Sequence, residues 1–223
     1  MIIDLISLFP EMLSGFMDAS ILGRAQKKQL LQYYSHNLRQ WTSNKYQKVD
    51  DRPFGGGAGM VLQAEPIAKA IRALKRAQTY VIYLCPDGVL LKTALAQALA
   101  QKEHLIFLSG HYEGVDQRIR DKYVDLELSI GDYVLTNGTL AAAVAMDAIC
   151  RYIPGVLGND FSLAQDSFWD GLLTFPQYTQ PRIFEDMPVP EVLLSGNHQA
   201  IAQWRQQQRV ERTQKLRPDL LTR

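Results

Sequence analysis

The sequence predicts an α/β fold with a mainly parallel sheet, because three successive segments each combine an apolar run, a glycine-bearing loop and a helical pattern. The apolar runs are YVIYLC, HLIFLS and VDLELSI, and the loops after them contain PDG, GHYEG and GDYVLTNG. Hydrophobic residues make up 47% of the 223 residues and charged residues 21%, so the chain can bury an extended core. This length suits one large domain or a domain with a small satellite.

The elements around these units follow from local patterns. The run 2–9 (IIDLISLF) predicts a first strand, the following residues predict short helical pieces and turns, and the aromatic run 30–38 (LLQYYSHNL) predicts a second strand. In the segment 64–77, Ile67, Ile71 and Leu74 recur at helical spacing, with cations near the end that favour the helix dipole. Helices are also expected within 91–101, 115–123, 139–153 and 198–221.

Targeting and membrane signals are not expected. The first ten residues have no basic region before the apolar run and carry Asp4 inside it, so they indicate a strand rather than a signal peptide. The run 140–150 (LAAAVAMDAIC) is too short to cross a bilayer. Cys85 and Cys150 lie far apart without metal-like spacing, so we expect buried, reduced thiols and a cytoplasmic protein.

The net charge and the spacing of the glycines limit which partners and which phosphate-binding motifs the chain can have. A net charge of +1 means that a polyanion must be bound by local patches. The stretch 51–60 (DRPFGGGAGM) has four glycines in five positions, but it lacks the Gly-Lys-Ser/Thr end of a P-loop, and no GxGxxG follows the first strand. Two readings stay open: a flexible surface loop, or bare backbone lying against a flat ligand or nucleic acid, with Arg52 available for phosphate.

The three loops after the strands predict a ligand site together, since ligands of parallel α/β sheets bind at the carboxyl ends of the strands. Each loop offers free backbone amides and little side-chain bulk, although each alone could be an ordinary turn. Ile130, Tyr133 and Leu135 could sandwich an adenine. The proline-rich segment from 159 to about 190 has little periodicity and indicates a linker or a functional loop.

Several strings together carry a family resemblance: DRPFGGGAGM, GHYEGVDQRI, SIGDYVLTNG, RYIPGVLGN, QDSFWDGLL and FPQYTQPRIFEDMPVPEVLLSGNH. In these strings the chain closely resembles the bacterial tRNA (guanine-N1)-methyltransferase family TrmD, from the first strand to the arginine-rich helices. The resemblance implies an α/β SPOUT methyltransferase fold with a parallel sheet and a deep trefoil knot, plus a small C-terminal helical domain. It implies a knotted domain at 1–158, a linker at 159–172 and a mostly helical tRNA-binding domain at 173–223.

By resemblance, the cofactor is S-adenosylmethionine, and its site is lined by Pro86, Gly110, Tyr112, Glu113, Ile130, Gly131, Asp132, Tyr133, Val134, Leu135 and Gly138. Glu113 could also position Mg²⁺, or it could be a capping residue. Three positions depart from the family pattern: Asn137 replaces a glycine, Thr139 a glutamate and His111 an arginine. Asn137 tolerates left-handed backbone, so cofactor binding should survive.

The catalytic pair implied by the resemblance is Asp166, as general base, with Arg151. N1 of guanine becomes nucleophilic once a carboxylate takes its proton, and a guanidinium stabilises the charge that spreads onto the neighbouring carbonyl. Asp166, followed by Ser167 and Asp170, could instead cap a helix. Arg151 could instead stabilise the negative end of a helix dipole or form an ion pair with Asp147.

The resemblance further implies tRNA contacts and a homodimer with composite active sites, the base coming from one subunit and the cofactor loops from the other. The expected tRNA-binding residues are Asp51, Arg52, Gly55, Gly56, Gly57, Arg205, Arg209 and Arg212. The arginines could equally form a solvated helix face, with Glu211 and Asp219 as the opposing charges. The implied reaction methylates the guanosine 3′ of the anticodon and supports reading-frame maintenance. A related methyltransferase acting on another RNA and a catalytically silent RNA-binding dimer are the alternatives.

Overall fold

A five-stranded parallel sheet forms the centre of the amino-terminal part of the chain. In the computed structural model, which describes residues 1–158 and 160–221, the strands are β1 (Ile2–Ser7), β2 (Gln32–Asn37), β3 (Asp50–Asp51), β4 (Val61–Leu62), β5 (Thr79–Leu90), β6 (His104–Ser109), β7 (Leu126–Ser129), β8 (Ile183–Phe184) and β9 (Met187–Pro188). The sheet order is β2-β1-β6-β5-β7, with every pair parallel. The prediction of an α/β fold with a parallel sheet is confirmed.

Helices cover both faces of this sheet. In chain order they are α1 (Ser14–Asp18), α2 (Ser20–Lys27), α3 (Ala64–Leu74), α4 (Thr93–Ala100), α5 (Gln117–Tyr123), α6 (Gly138–Cys150), α7 (Glu191–Leu194) and α8 (His198–Leu216). Short 3-10 helices span Pro10–Leu13, Leu38–Trp41, Asp160–Gln165 and Pro218–Leu220. Successive side chains of a strand point to opposite faces. Leu5 therefore joins the core beneath α4 and α6, and Ile6 joins the core beneath α3 and α5.

The pairing of β5 with β7 contains an irregularity that the sequence pattern did not indicate. We expected the strand to end before PDG, but β5 continues to Leu90, and its register against β7 shifts between Leu84 and Val89. Gly88 makes this possible, because a Cβ there would lie 2.5 Å from the backbone of Glu127. The absence of a side chain lets the two backbones touch.

A buried polar cluster crosses the sheet. Asp4, only 2% exposed, accepts hydrogen bonds through one carboxylate oxygen from His36 Nε2 (2.5 Å) and through the other from His104 Nε2 (2.7 Å). On the far side, His104 Nδ1 lies 2.7 Å from the hydroxyl of Thr79, which starts β5. Burial alone would raise the pKa of Asp4, but the two histidine hydrogen bonds bring it below its ordinary value.

The chain divides into two compact units, residues 1–158 and 159–223. The second unit contains the hairpin β8–β9, helix α7 and the long helix α8, which lies within the segment expected to be helical. The residues described between 160 and 172 include the 3-10 helix Asp160–Gln165, and their role as a linker stays a prediction. The expected boundary at residue 159 and the last positions, 222 and 223, lie outside the described residues.

Candidate active site

A cavity of about 350 Å³ lies where the chain leaves β6 and β7 and beside the irregular end of β5. Its wall contains almost all of the residues that the resemblance assigns to the cofactor: Pro86, Gly110, Tyr112, Glu113, Ile130, Gly131, Tyr133, Val134, Leu135 and Gly138. Asp132 does not line the cavity, although both its neighbours do. The structure therefore gathers into one cavity three loops that are far apart in the chain, and their cofactor role stays a prediction.

Two of these loops are joined through their backbones. Gly138 N donates to Gly110 O at 2.8 Å, and His111 forms an isolated bridge with Asn137. A Cβ at Gly138 would lie 2.9 Å from Gly110 N, closer than real contacts allow, so this approach requires glycine. The wall of the cavity between the two loops is therefore backbone, which suits a ligand held by amides and carbonyls.

Asn137 does not use the left-handed backbone that asparagine tolerates. Its φ of −162° is extended, and its side chain caps α6 by accepting from Thr139 N at 2.9 Å. Thr139 is buried, and its hydroxyl lies 2.9 Å from that of Ser7 and 3.0 Å from that of Ser109. Thr139, which by resemblance replaces a glutamate, thus ties α6 to β1 and β6 through these hydroxyl contacts.

The sequence did not indicate an ion-pair cluster beside the cavity, of which Arg120 and Asp87 line the wall. Arg120 donates from Nε and one terminal nitrogen to Glu127, at 2.7 and 2.6 Å, and to Asp87 at 2.7 Å. Hydrogen bonding from Arg120 lowers the pKa of Asp87. Burial raises the pKa of the neighbouring Cys85 thiol to about 12, so this cysteine is neutral and a poor nucleophile. Both cysteines are buried free thiols, as expected.

The glycine-rich stretch lies beside the same cavity. Gly55, Gly56, Gly57 and Gly59 all have positive φ, between +81° and +116°, which favours glycine. At the end of the stretch, Met60 O accepts from Glu113 N at 3.0 Å, and a Cβ at Gly59 would meet the Glu113 side chain. Arg52 is exposed, and Asp51 accepts from Arg52 N at 2.9 Å and from Lys48 at 3.2 Å. The stretch is a surface loop joined to the GHYEG loop.

The implied catalytic residues belong to different units. Arg151 is the C-cap of α6, with its backbone N donating to Asp147 O at 3.3 Å, a position where a cation also suits the helix dipole. Asp166 is half-buried and directly follows the 3-10 helix Asp160–Gln165. No helix begins directly after Asp166, since the next helix along the described chain is α7 at Glu191, so the capping alternative is wrong. Ser167 instead accepts from Thr174 N at 3.0 Å.

The three arginines expected to bind tRNA are half-buried on α8 rather than fully exposed. Arg209 binds the carboxylate of Asp170, an ion pair that the sequence reading did not include. Arg205 lies over the ring of Phe175 at 4.7 Å. Arg212 has a buried Nε for which the described residues offer no hydrogen-bond partner. Their side chains thus pack against the unit that carries them as well as offering charge.

Comparisons of the sequence with known proteins all match one family of tRNA methyltransferases. The family described as tRNA (Guanine-1)-methyltransferase TrmD matches residues 1–223. The chain is 53% identical over 221 residues to the tRNA (guanine-N(1)-)-methyltransferase of Protochlamydia amoebophila, covering 99% of this chain and 100% of that relative. It is 55% identical over 222 residues to the protein of the same name from Staphylococcus haemolyticus, covering 99% and 91%.

A third relative with this name, from Dictyoglomus turgidum, is 50% identical over 219 residues, covering 98% of this chain and 89% of that relative. Within residues 1–158 and 160–221, no helix combines the length and the apolar character that spanning a bilayer requires. Matches of this identity over nearly the whole chain, with the cavity loops in place, establish the family. The chain belongs to the TrmD family of tRNA (guanine-1)-methyltransferases.

Proposed function

We propose that this chain transfers a methyl group from S-adenosylmethionine to N1 of the guanosine 3′ of the anticodon in tRNA. The observation that carries this proposal is the cavity of about 350 Å³ formed by loops of β5, β6 and β7 in a chain of the TrmD family. The reaction would support reading-frame maintenance, and a tRNA substrate implies a cytoplasmic site of action.

The residues of the cavity fit S-adenosylmethionine. Ile130 and Leu135 supply apolar surface for a purine ring, and the joined backbones at Gly110 and Gly138 leave room that side chains would fill. The half-exposed Tyr133 stands at the same wall. When bound, the cofactor supplies an electrophilic methyl group on its sulfonium.

Asp166 and Arg151 would act on the guanine. Asp166 takes the proton from N1 as general base, which contributes typically ~10²–10⁴-fold to the rate. Arg151 donates hydrogen bonds to the guanine oxygen as negative charge develops there, and its guanidinium stays charged throughout. No covalent intermediate is needed, which agrees with the neutral Cys85.

Magnesium does not fit the residues around Glu113. Glu113 is exposed and belongs to no group of three metal-ligating side chains among the described residues. The described chain has one such group, Cys85, Asp87 and Glu127, and Arg120 already binds both of its carboxylates.

The tRNA contacts would come from two surfaces. The exposed loop containing Asp51, Arg52 and Gly55–Gly57 joins the GHYEG loop beside the cavity, so its backbone is available to the target guanine and its neighbour. Arg205, Arg209 and Arg212 on α8 would contact the RNA backbone, which positions the substrate without reading its sequence.

A homodimer with shared sites is part of the proposal, as is the trefoil knot implied by family membership. Support for a partner comes from α6, where Leu140 and Val144 lie one helical turn apart and are 46% and 50% exposed. Exposed apolar side chains on one helix face suit a subunit interface. In this dimer, Asp166 of one subunit would serve the cavity of the other.

Incubation of the purified protein with labelled cofactor and tRNA transcripts tests the reaction. We expect methylation of a transcript with guanosine after the anticodon and none of a transcript that lacks it. Transfer to other RNAs would favour a different RNA methyltransferase. The absence of any transfer, with cofactor and tRNA both bound, would favour the silent RNA-binding alternative.

Substitution Asp166→Asn tests the general base. We expect turnover to fall ~10²–10⁴-fold while cofactor binding, measured by calorimetry, stays close to that of the wild type. The matched control is Asp186→Asn, an exposed carboxylate in the turn of the β8–β9 hairpin, which should keep full turnover. Unchanged turnover in Asp166→Asn would show that another group removes the proton.

Co-expression of Gly131→Trp with Asp166→Ala tests the composite site. The tryptophan blocks the cavity and the alanine removes the base, so each homodimer should be inactive. A mixed dimer retains one intact combination, and we expect partial recovery of activity. A purified mixed dimer with no activity would contradict sharing of the site between subunits.

A further inference from the structure

A second cavity, of about 320 Å³, lies within the carboxy-terminal unit and shares no wall residue with the first. Its wall comes from the segment 175–182, from Val189 at the end of the hairpin, and from helices α7 and α8. This volume is at the small end of the range for ligand sites, so it suits one small planar group rather than an extended molecule.

Aromatic side chains supply the apolar surface of this cavity. Tyr178 and Trp204 both line it, with ring centres 6.4 Å apart and planes tilted by 54°. Because of this tilt, a flat ligand would stack on one ring rather than lie between two parallel ones. Phe175 is 6% exposed and belongs to the packed interior, whereas Tyr178 is 49% exposed and offers a ring face to a ligand.

The charges around the cavity are of one sign. Arg182 and Arg205 line it, and no carboxylate does so among the residues that the structure describes. Arg205 rests on the ring of Phe175, and its buried Nε has no hydrogen-bond partner in the described part of the chain. The exposed amides of Gln177 and Gln180 can both donate and accept hydrogen bonds. Stacking surface, amides and cations together match an anionic nucleotide.

We propose that this cavity binds one unstacked nucleobase of the bound tRNA, other than the target guanine, by stacking on the exposed ring of Tyr178. The arginines lie near the phosphate of that nucleotide, and the glutamine amides face the edge of its base. The inference rests on the proposed function, because it needs tRNA as the substrate. It assigns to the carboxy-terminal unit a contact with a base, in addition to contacts with the RNA backbone.

Three substitutions of Tyr178 test this stacking. Tyr178→Phe keeps the flat ring, Tyr178→Leu keeps apolar volume without a π face, and Tyr178→Ala removes both. The matched control is Phe184→Ala, which removes an aromatic ring that is 57% exposed in the same unit and lies outside the cavity wall. Thermal unfolding of each variant verifies that the fold is retained, and the phenylalanine and leucine variants decide the matter if the alanine variant unfolds.

The measurements are the Kd for full-length unmodified tRNA over a series of salt concentrations and the methylation kinetics. We expect Tyr178→Leu and Tyr178→Ala to weaken tRNA binding roughly 5- to 150-fold, the loss typical of one base–aromatic stack, with KM for tRNA raised and kcat retained. The slope of log Kd against log salt should stay unchanged, because no phosphate contact is lost. Tyr178→Phe and Phe184→Ala should bind tRNA as the wild type does.

Equal tRNA affinity for the wild type and Tyr178→Leu would overturn the inference, even if the wild type methylates tRNA normally. A loss in Tyr178→Phe as large as that in Tyr178→Leu would also overturn it, since the hydroxyl rather than the ring would then matter. A reduced slope of log Kd against log salt would indicate that a phosphate, rather than a base, binds at this position. Failure of the proposed function is seen separately, as a wild-type protein that does not methylate tRNA.

Discussion

Substitution Gly88→Ala tests the close approach of β5 and β7. An added Cβ would lie 2.5 Å from two backbone atoms of Glu127 and Leu128 and 2.7 Å from the Glu127 carbonyl oxygen, whereas real Cβ contacts essentially never fall below 3.0 Å. Backbone on that side cannot rotate away as a side chain would, so the strands must separate. Overpacking of this kind costs about 1–3 kcal/mol, which corresponds to a fall in Tm of about 2–12 °C for a chain of this size.

Differential scanning calorimetry of the wild type, Gly88→Ala and the control Gly15→Ala provides the assay. A Cβ at Gly15 in α1 meets nothing within 4 Å, and alanine favours a helix, so this variant should match or slightly exceed the wild-type Tm. Gly88→Ala should also weaken S-adenosylmethionine binding, because Pro86 and Asp87 line the cavity two residues away or less. A Tm within about 1 °C of the wild type would refute the close packing of the two strands.

Substitutions at three further positions have expected outcomes. Asp4→Asn should cost about 1–3 kcal/mol at neutral pH, measured by denaturant unfolding, because an amide cannot accept hydrogen bonds from both His36 and His104 in this buried position. Since folding lowers the pKa of Asp4, its contribution is present above the ordinary value of 3.8 and is lost as pH falls through the folded pKa, so the variant's stability should depend less on pH below about 4. Asn137→Ala should cost about 0.5–2 kcal/mol through loss of the α6 cap, whereas Asn137→Asp should retain most of the stability. Thr213→Val should cost about 1–3 kcal/mol, because Thr213 is fully buried and its hydroxyl accepts from a backbone amide at 3.0 Å. A change below about 0.5 kcal/mol in Asp4→Asn, Asn137→Ala or Thr213→Val, measured by chemical denaturation, would contradict the contact that the substitution removes, because surface substitutions scatter by about this amount.

Local patterns predicted the elements of the fold well. The helical spacing of Ile67 and Ile71 corresponds to α3, where both side chains are fully buried. The continuous apolar run of β6 is buried at all six positions, as expected for an inner strand of a parallel sheet. These elements could be predicted because the spacing of apolar residues within a short segment determines which of its side chains are buried.

Long-range arrangements were not predictable in the same way. The insertion of β6 between β1 and β5 and the pairing of Arg120 with Glu127 depend on the fold as a whole. In the sequence, Asp4 indicated only that the first residues are not a signal peptide. Its two histidine partners could not be inferred, because they lie 32 and 100 residues away along the chain. The local sequence around Asp166 resembles a helix cap, yet no helix begins directly after it, and the nearby Asp170 pairs instead with Arg209 on the distant helix α8.

The polar cluster across the sheet has a consequence for strand alignment. A parallel strand that slides by one residue turns every side chain to the opposite face, so a misaligned β1 would move Asp4 away from His36 on one neighbouring strand and from His104 on the other. Apolar residues tolerate such an exchange, because one isoleucine or leucine replaces another with similar burial. No other residue of β1 could replace the carboxylate that contacts both imidazoles. The cluster therefore favours a single register of β1 against β2 and β6.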